Sequence, residues 1–343
     1  MGGNMSAKKH ALSLIVLFAL IVITFWFLLK DIGFKGVWLA LRQANGWYLL
    51  LGLGMVIIYF LGEGEAIRAI CSSLGSKVKR TRSFVYACID FYFSAITPSA
   101  TGGQPVALYY MGKDNIPFTT SGLALLLHTV IFKVILLILG VWCLIVKWPL
   151  FAGGNWAVRI LFTAGVIINV VVVALCLMAM FSQRAIRKMV RVFVNLGARI
   201  RLVKNPEERI THIFRSVDEY ANGANYIRTH PFLVFRVFII TFVQRIALFS
   251  VAYWVYRALG LGAYTLYDMI ALQTLIAMAI DSLPLPGGMG ASEGVFTMLY
   301  RTVYSTQMLV PALILTRGVN YYCALLLSSV CVIVNQIKLV RRK

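Results

Sequence analysis

The chain has 343 residues, of which 60% are hydrophobic and only 13% are charged, whereas about 25% of the residues of an average soluble domain are charged. Mean hydropathy is +0.82. This composition excludes a soluble enzyme. It indicates a polytopic helical membrane protein, because uncharged runs such as 11–29, 160–181 and 318–337 are long enough to cross roughly 30 Å of hydrocarbon as about 20 helical residues.

Basic residues concentrate in four segments and produce a formal net charge of +21. The segments are residues 8–9, 68–82, 184–228 and 338–343. Because Lys and Arg in short loops mark the cytoplasmic side of a membrane protein, we place all four segments, and with them both termini, in the cytoplasm. Nucleic acid is not an expected partner, since no folded basic and aromatic module accompanies the charge.

With these segments fixed on one side, the apolar blocks predict six full spans. In chain order the spans cover 11–29, 47–67, 119–146, 157–181, 232–256 and 309–337. Two further blocks, 83–112 and 266–304, begin and end on the same side, so each is predicted to be a re-entrant hairpin or a pair of broken helices. The linker 183–229 is predicted to form amphipathic helices at the inner surface.

Helix breakers interrupt each hairpin block, at 97–105 and at 284–290. Proline removes an amide donor and glycine costs about 1 kcal/mol inside a helix, so backbone groups are freed at membrane depth, where only protein or water satisfies them. A packing kink without a ligand is the alternative for each break. The first hairpin would enter from the cytoplasm and the second from outside.

The predicted fold class is therefore an all-α polytopic membrane protein with six full spans and two re-entrant hairpins arranged as an inverted repeat. Residues 1–155 form the first membrane repeat, with spans 11–29, 47–67 and 119–146 and hairpin 83–112. Residues 156–343 form the second, with the linker, the other three spans and hairpin 266–304. Secondary transporters with this arrangement bind their substrate between the broken segments.

Ionisable residues inside the spans are costly and are therefore functional candidates. Three are cations and three are carboxylates near the breaks: Lys133, Arg245, Arg317, Asp90, Asp281 and Glu293. Cations near helix N-termini would suit a phosphate, and carboxylates would suit an amine. Internal ion pairs, for example Asp90–Lys133 or Glu293–Arg317, are the alternative. We expect the substrate to be the main partner of Arg317. Arg317→Met would then abolish transport but leave the melting temperature nearly normal.

Other polar residues in the spans have simpler interpretations. Glu63, Glu65 and Arg68 lie near the inner end of the second span and are interpreted as a solvated helix end. His128 is interpreted as a satisfied packing residue. The six cysteines contain no CxxC pair and imply neither disulfides nor zinc.

Enzyme signatures are missing from the sequence. It contains no GxxxxGK[ST] loop and no HExxH helix. Residues Gly290 to Gly294 satisfy the letters GxSxG, but no histidine follows His230, so the expected order of a catalytic triad is impossible. We therefore predict no catalytic residue, no metal and no cofactor.

The two breaks resemble the motifs of a known family. The run from Asp90 to Tyr110, with Thr97-Pro98-Ser99 and Gly102-Gly103-Gln104-Pro105, resembles the first signature of the lysylphosphatidylglycerol synthase membrane-domain family. This is the flippase-like part of the bacterial multiple peptide resistance factor. Residues Pro284 to Glu293 are similar to its PxPGGxGxxE element, and Arg317 with Tyr321-Tyr322 resembles a third patch. Gln104 stands where many members carry Glu.

The resemblance implies a multi-pass protein of the bacterial plasma membrane that moves a lipid such as lysyl-phosphatidylglycerol between leaflets and confers resistance to cationic peptides. Membrane phospholipids are the implied partners, with a separate lipid-modifying synthase and an oligomer of the chain as further possibilities. A membrane-embedded lysyltransferase and a solute or ion carrier stay as alternatives. The enzyme ranks below the translocase, because full-length members add a cytoplasmic synthase domain and this sequence stops at Lys343, and the carrier ranks third.

The predicted substrate-binding site combines both breaks with the charged residues of the spans. Its members are Asp90, Thr97, Pro98, Ser99, Gly102, Gly103, Gln104, Lys133, Arg245, Asp281, Pro286, Gly287, Gly288, Glu293, Arg317 and Tyr321.

Overall fold

The structure is a computed structural model that describes residues 38, 42–97, 100–148, 156–182, 220–281, 283 and 285–340. The predicted span 11–29, residues 183–219 of the linker, Pro98 and Ser99 lie outside the described residues, as does the side chain of Pro286. Every regular element within the described ranges is helical. The prediction of an all-α membrane protein is therefore confirmed at the level of class.

Ten α-helices follow one another in the described part of the chain. They are α1 Gly46–Ser73, α2 Arg80–Ile96, α3 Gly103–Lys113, α4 Phe118–Val146, α5 Trp156–Phe181, α6 Pro231–Ala258, α7 Leu266–Ile280, α8 Ala291–Tyr300, α9 Thr306–Arg317 and α10 Ala324–Val340. Residues 220–229 form a further helical segment before α6. A short 3₁₀ turn, Pro286–Gly288, precedes α8, and a π-helical segment, Gly318–Cys323, joins α9 to α10.

Local sequence signals explain several helix starts. The side chain of Asn45 accepts a hydrogen bond from the Trp47 amide at 3.0 Å and so caps α1. Thr265 and Asp268 form a reciprocal capping box at the start of α7, which satisfies amides that the first turn leaves unpaired. Pro231 opens α6, where its missing amide hydrogen is not needed.

Five helical stretches in the described ranges are long and apolar enough to cross a membrane. They are Gly46–Ser73, Phe118–Val146, Trp156–Phe181, Pro231–Ala258 and Thr306–Leu339. These stretches coincide with five of the six predicted spans. Large apolar side chains such as Ile145, Ile160 and Leu326 are exposed on them, as expected where the surrounding solvent is lipid.

Both predicted breaks are present. α2 ends at Ile96 and α3 begins at Gly103, and between them Ala100 has a left-handed φ of 52°. The second break separates α7 from α8, and there Gly287 has a φ of 58°. A Cβ on Gly287 would lie 2.0 Å from the Tyr321 hydroxyl oxygen, so the absence of a side chain permits this tip to touch the π-helical segment.

The core lies around α7, which is buried along most of its length. It packs against α4, α5, α6 and α8. At Gly165 of α5, the helices approach so closely that a Cβ would lie 1.9 Å from the carbonyl oxygen of Met278. Small residues allow such close backbone approach between helices in lipid.

Gly165→Ala should therefore destabilise the protein. Forcing α5 away from α7 costs about 1–3 kcal/mol, which exceeds the gain of up to about 1 kcal/mol in helix propensity. Gly54 of α1 is the matched control, since a Cβ there meets nothing within 4 Å, and Gly54→Ala should melt at or above the wild-type temperature. Thermal unfolding in detergent measures both. A Gly165→Ala protein as stable as the wild type would contradict this view of the α5–α7 contact.

Candidate functional site

One turn of α4 contacts polar groups on four other helices. His128 faces Glu63 of α1, and Thr129 accepts a hydrogen bond from Gln104 of α3. Phe132 carries the guanidinium of Arg245 from α6 on its ring, and Lys133 pairs with Asp281 at the end of α7. Because these side chains point in different directions around α4, the turn 128–133 joins both halves of the chain at one level of the bundle.

The Lys133–Asp281 pair closes one side of this level. The Lys133 ammonium donates a hydrogen bond to Asp281 Oδ2, and the two side chains are 14% and 20% exposed. Because both side chains are partly exposed, Lys133 and Asp281 neutralise each other's charge, yet another polar group can still contact them. The alternative pair predicted for Lys133, with Asp90, is not formed.

The first break places Asp90 beside the N-terminus of α3. A Cβ on Gly103 would lie 2.2 Å from Asp90 Oδ1, so glycine is needed for the carboxyl group to reach the N-terminus of α3. Negative charge is favoured at that end of a helix. The Asp90 carboxyl group thus lies at the anion-binding position that the sequence suggested for a phosphate, but its Oδ1 accepts no hydrogen bond from the described residues.

Thr97 shapes the same break. Its hydroxyl donates to the carbonyl oxygen of Phe93 at 2.6 Å and accepts from the amide of Gly102 at 2.9 Å. A Cβ on Gly102 would lie 2.5 Å from the Thr97 methyl group. Thr97 and Gly102, both predicted substrate ligands, therefore have a structural task in forming the tip.

Arg245 differs from the other two intramembrane cations. Its guanidinium carbon lies 3.4 Å from the ring centroid of Phe132 and 5.5 Å from that of Tyr59. Among the described residues no carboxylate oxygen lies within 4.0 Å of it, and its Nε has no hydrogen-bond partner. Aromatic rings compensate only part of the desolvation of a cation. Arg245 therefore retains the capacity to bind an anion.

Arg317 is tied to Glu293, the second of the two predicted ion pairs. Arg317 Nε donates to Glu293 Oε1 at 2.7 Å, and Nη2 donates to the carbonyl oxygen of Gly287 at 3.2 Å. Glu293 Oε2 also accepts from the amide of Gly290 at 2.7 Å. Both charged side chains are buried. This geometry favours a structural role for Arg317, which holds the second tip together, over the substrate-only role expected from the sequence.

Tyr321 links the two breaks. Its hydroxyl donates to the carbonyl oxygen of Ala95 near the end of α2 at 3.3 Å. Its ring also lies 4.5 Å from the guanidinium carbon of Arg317. The residue is buried, so in this conformation it joins the tips rather than facing an open path.

The sequence-based interpretation of Glu63 was wrong. Instead of belonging to a solvated helix end, Glu63 is only 4% exposed and accepts a hydrogen bond from Gln244 Nε2 at 2.6 Å. Its neighbours Glu65 and Arg68 form the half-buried pair nearer the helix end, at 2.5 Å. The signal that was overlooked is spacing, because two residues along α1 turn a side chain by about 200° and so carry Glu63 to the interior.

The fold and this polar level define an integral membrane protein built as a helical bundle with charged groups at membrane depth. The chain belongs to the family described as the lysylphosphatidylglycerol synthase TM region, whose model matches residues 12–328. It is also 20% identical over 306 residues to a UPF0104 membrane protein of Archaeoglobus fulgidus, covering 88% of this chain and 90% of that protein.

The Arg317–Glu293 geometry gives a testable expectation. Arg317→Met should destabilise the protein by about 3–5 kcal/mol, because it leaves the Glu293 carboxylate buried without its cation. Combining it with Glu293→Gln, which removes the charge but keeps an acceptor for the Gly290 amide, should recover most of the loss. Thermal melting in detergent compares the single and double variants. A single variant that melts like the wild type would show that Arg317 is not part of the structural network.

Proposed function

We propose that this protein is a lipid translocase that moves the headgroup of an anionic or aminoacylated phospholipid past the turn 128–133 while the acyl chains stay in the bilayer. The observation that carries the proposal is Arg245, a cation at membrane depth without a carboxylate within 4.0 Å among the described residues. An unpaired buried charge is destabilising unless a partner arrives. A lipid phosphate is the anion that a membrane supplies in abundance.

The surroundings of Arg245 suit a headgroup better than a small solute. Arg245, Lys133, Asp281 and Gln104 are all half-buried, so the polar level is open on part of its surface. Carboxylates beside a cation suit a headgroup with both a phosphate and an amine, as in lysyl-phosphatidylglycerol. Family membership supports a lipid-related role, since the family name refers to that lipid.

The helix contacts support an inverted repeat. We match α1 with α6, α2 with α7, α3 with α8, and α4 with the stretch from α9 to α10. Each contact in the first half has a counterpart in the second. α1 packs on α2, and its match α6 packs on α7; α3 packs on α4, and its match α8 packs on α9. Across the halves, α2 packs on α10 and α7 packs on α4. The matched helices α1 and α6 pack together extensively. Such a pairwise correspondence is expected when two similar units face each other across a pseudo-twofold axis.

Individual hydrogen bonds follow the same correspondence. Gln104 of α3 bonds Thr129 of α4, 25 residues later, and Glu293 of α8 bonds Arg317 of α9, 24 residues later. The first pair is neutral and the second is charged. The two pairs hold equivalent half-helices against equivalent spans.

The residue one turn beyond each of these pairs also has a matched role. Lys133, four residues after Thr129, reaches Asp281 at the end of α7. Tyr321, four residues after Arg317, reaches Ala95 at the end of α2. Each long span thus fastens the opposite hairpin, so a transport cycle that moves a tip would first have to break the Lys133–Asp281 or the Tyr321–Ala95 contact.

The central test is Arg245→Gln. Losing a charge-assisted bond worth about 1.5–3 kcal/mol should slow exchange of a fluorescent phosphatidylglycerol between liposome leaflets by roughly 10- to 100-fold. Its melting temperature should stay near normal, because no described carboxylate loses an ion pair. Arg257→Gln, on the same helix but over the Tyr48 ring at the helix end, should exchange lipid at the wild-type rate. Equal exchange by Arg245→Gln and wild type would refute the proposed role of Arg245.

The proposed orientation has its own test. With the native cysteines replaced, a membrane-impermeant maleimide added from outside should label a cysteine at Gly262, in the loop between α6 and α7. It should spare a cysteine at Lys204 in the basic linker, because that linker is placed in the cytoplasm. Labelling of position 204 in sealed cells would contradict the cytoplasmic placement of the linker. It would also remove the assignment of sides from which the inverted repeat was inferred.

A further inference from the structure

A second cluster of polar groups lies beside the turn 128–133, deeper in the bundle. Three of its residues each lie ten positions from one end of their helix: Glu63 from Ser73 of α1, Asp90 from Arg80 of α2, and His128 from Phe118 of α4. At about 1.5 Å per residue this is roughly 15 Å. The short α1–α2 and α3–α4 connections bring these ends together in two pairs, and the Arg82–Asp114 ion pair, 2.9 Å from Nε to Oδ2, places both pairs on one face. The cluster is therefore expected near the middle of a ~30 Å hydrocarbon layer.

The two carboxyl groups are short of cationic partners. Asp90 interacts electrostatically with Glu63 and with Arg245. Among the described residues, no Lys or Arg nitrogen lies within 4.0 Å of either carboxyl group, and the ring nitrogen of His128 is 3.8 Å from Glu63 Oε1. The donor to Glu63 is the neutral amide of Gln244. Two carboxyl groups that share a buried site do not readily ionise together.

Several polar atoms around the pair have no hydrogen-bond partner among the described residues. They are Asp90 Oδ1, His128 Nε2, Thr241 Oγ1, Gln244 Oε1 and Arg245 Nε. Thr241, Gln244 and His128 are almost completely buried. Buried polar atoms are normally satisfied, so unsatisfied atoms on the residues around the two carboxyl groups favour the binding of water or a proton there.

We propose that Glu63 and Asp90 form a proton-binding pair whose occupancy is linked to anion binding by Arg245. With one proton shared, the pair carries one negative charge, which Arg245 offsets from more than 4.0 Å away without forming an ion pair, so an arriving phosphate can still bind the guanidinium. When the proton leaves to water, the second carboxylate competes with the phosphate for Arg245. Proton and phosphate therefore favour each other's binding, and by linkage the effect is reciprocal.

The other ionisable groups that face the pair do not replace it in this role. Tyr59 of α1 lies beside Arg245, Cys88 of α2 is close to Glu63 and to Cys331 of α10, and His128 approaches from α4. Tyrosine and cysteine are neutral near neutral pH when they are not activated. His128 Nδ1 lies 3.8 Å from Glu63 Oε1, which is too far for a hydrogen bond that would take over the shared proton. The inference rests on the proposed function only for the identity of the anion, since proton binding by the pair is independent of lipid movement.

Infrared spectroscopy of the full chain tests the proton directly. In a detergent without carbonyl groups, the wild type should show the C=O stretch of a protonated carboxyl group near neutral pH. Asp90→Asn and Glu63→Gln should each abolish the band. Glu65→Gln is the control, because Glu65 is paired with Arg68 at 2.5 Å, and the band should persist there. No titrating band in the wild type, or a band that survives in both test variants, would overturn the proposal.

Octyl phosphate, which has a phosphate and an alkyl chain but no carbonyl, tests the linkage. It should raise the pH at which the band titrates by about one unit, equivalent to roughly tenfold tighter binding to the protonated site. Arg245→Gln should lose this shift but keep the band. An unshifted wild-type band would overturn the linkage. A shifted band in a protein that exchanges no lipid would leave the proton site standing and refute the translocase instead.

Discussion

Polar groups at membrane depth must be satisfied inside the protein, and this constraint organises the whole bundle. The turn 128–133 of α4 meets it by contacting α1, α3, α6 and α7 at one level. Breaking a hairpin frees backbone groups that lipid cannot satisfy, so each tip is held by side chains from elsewhere. Arg317 supplies those contacts for the second tip. Tyr321, together with Thr97 of the break itself, supplies them for the first.

The two halves satisfy this constraint with different chemistry. At the second tip a charged pair, Arg317–Glu293, is buried and bonded to the backbone of Gly287 and Gly290, which makes the tip rigid. At the first tip the equivalent pair, Gln104–Thr129, is neutral and half-buried. A neutral pair separates at a smaller electrostatic cost than a buried ion pair. Of the two tips, the first is therefore the one whose contact separates at the smaller electrostatic cost.

The other ionisable groups at membrane depth fall into two sets according to their exposure, a half-buried set and a buried set. Lys133, Asp281 and Arg245 are half-buried at the polar level, whereas Glu63 and His128 are buried behind it. Arg245 is close to both sets, because it stacks on Phe132 and also interacts with Asp90. The proposed link between substrate and proton depends on this single guanidinium, which lies between the half-buried polar level and the two carboxyl groups.

The sequence by itself determined the membrane class, five of the observed spans and the positions of both breaks, because hydropathy and helix breakers act locally along the chain. It also selected Lys133, Arg245 and Arg317 as the intramembrane cations. Which cation is neutralised was decided only by the tertiary structure, since Lys133 pairs with Asp281, 148 residues away. The burial of Glu63 was decided in the same way. Spacing along α1 separates Glu63 from Glu65, but only packing against Gln244, 181 residues away, shows which of the two faces the interior. Local sequence patterns encode where a charge enters the membrane, but the partner of a charge is set by how distant helices pack.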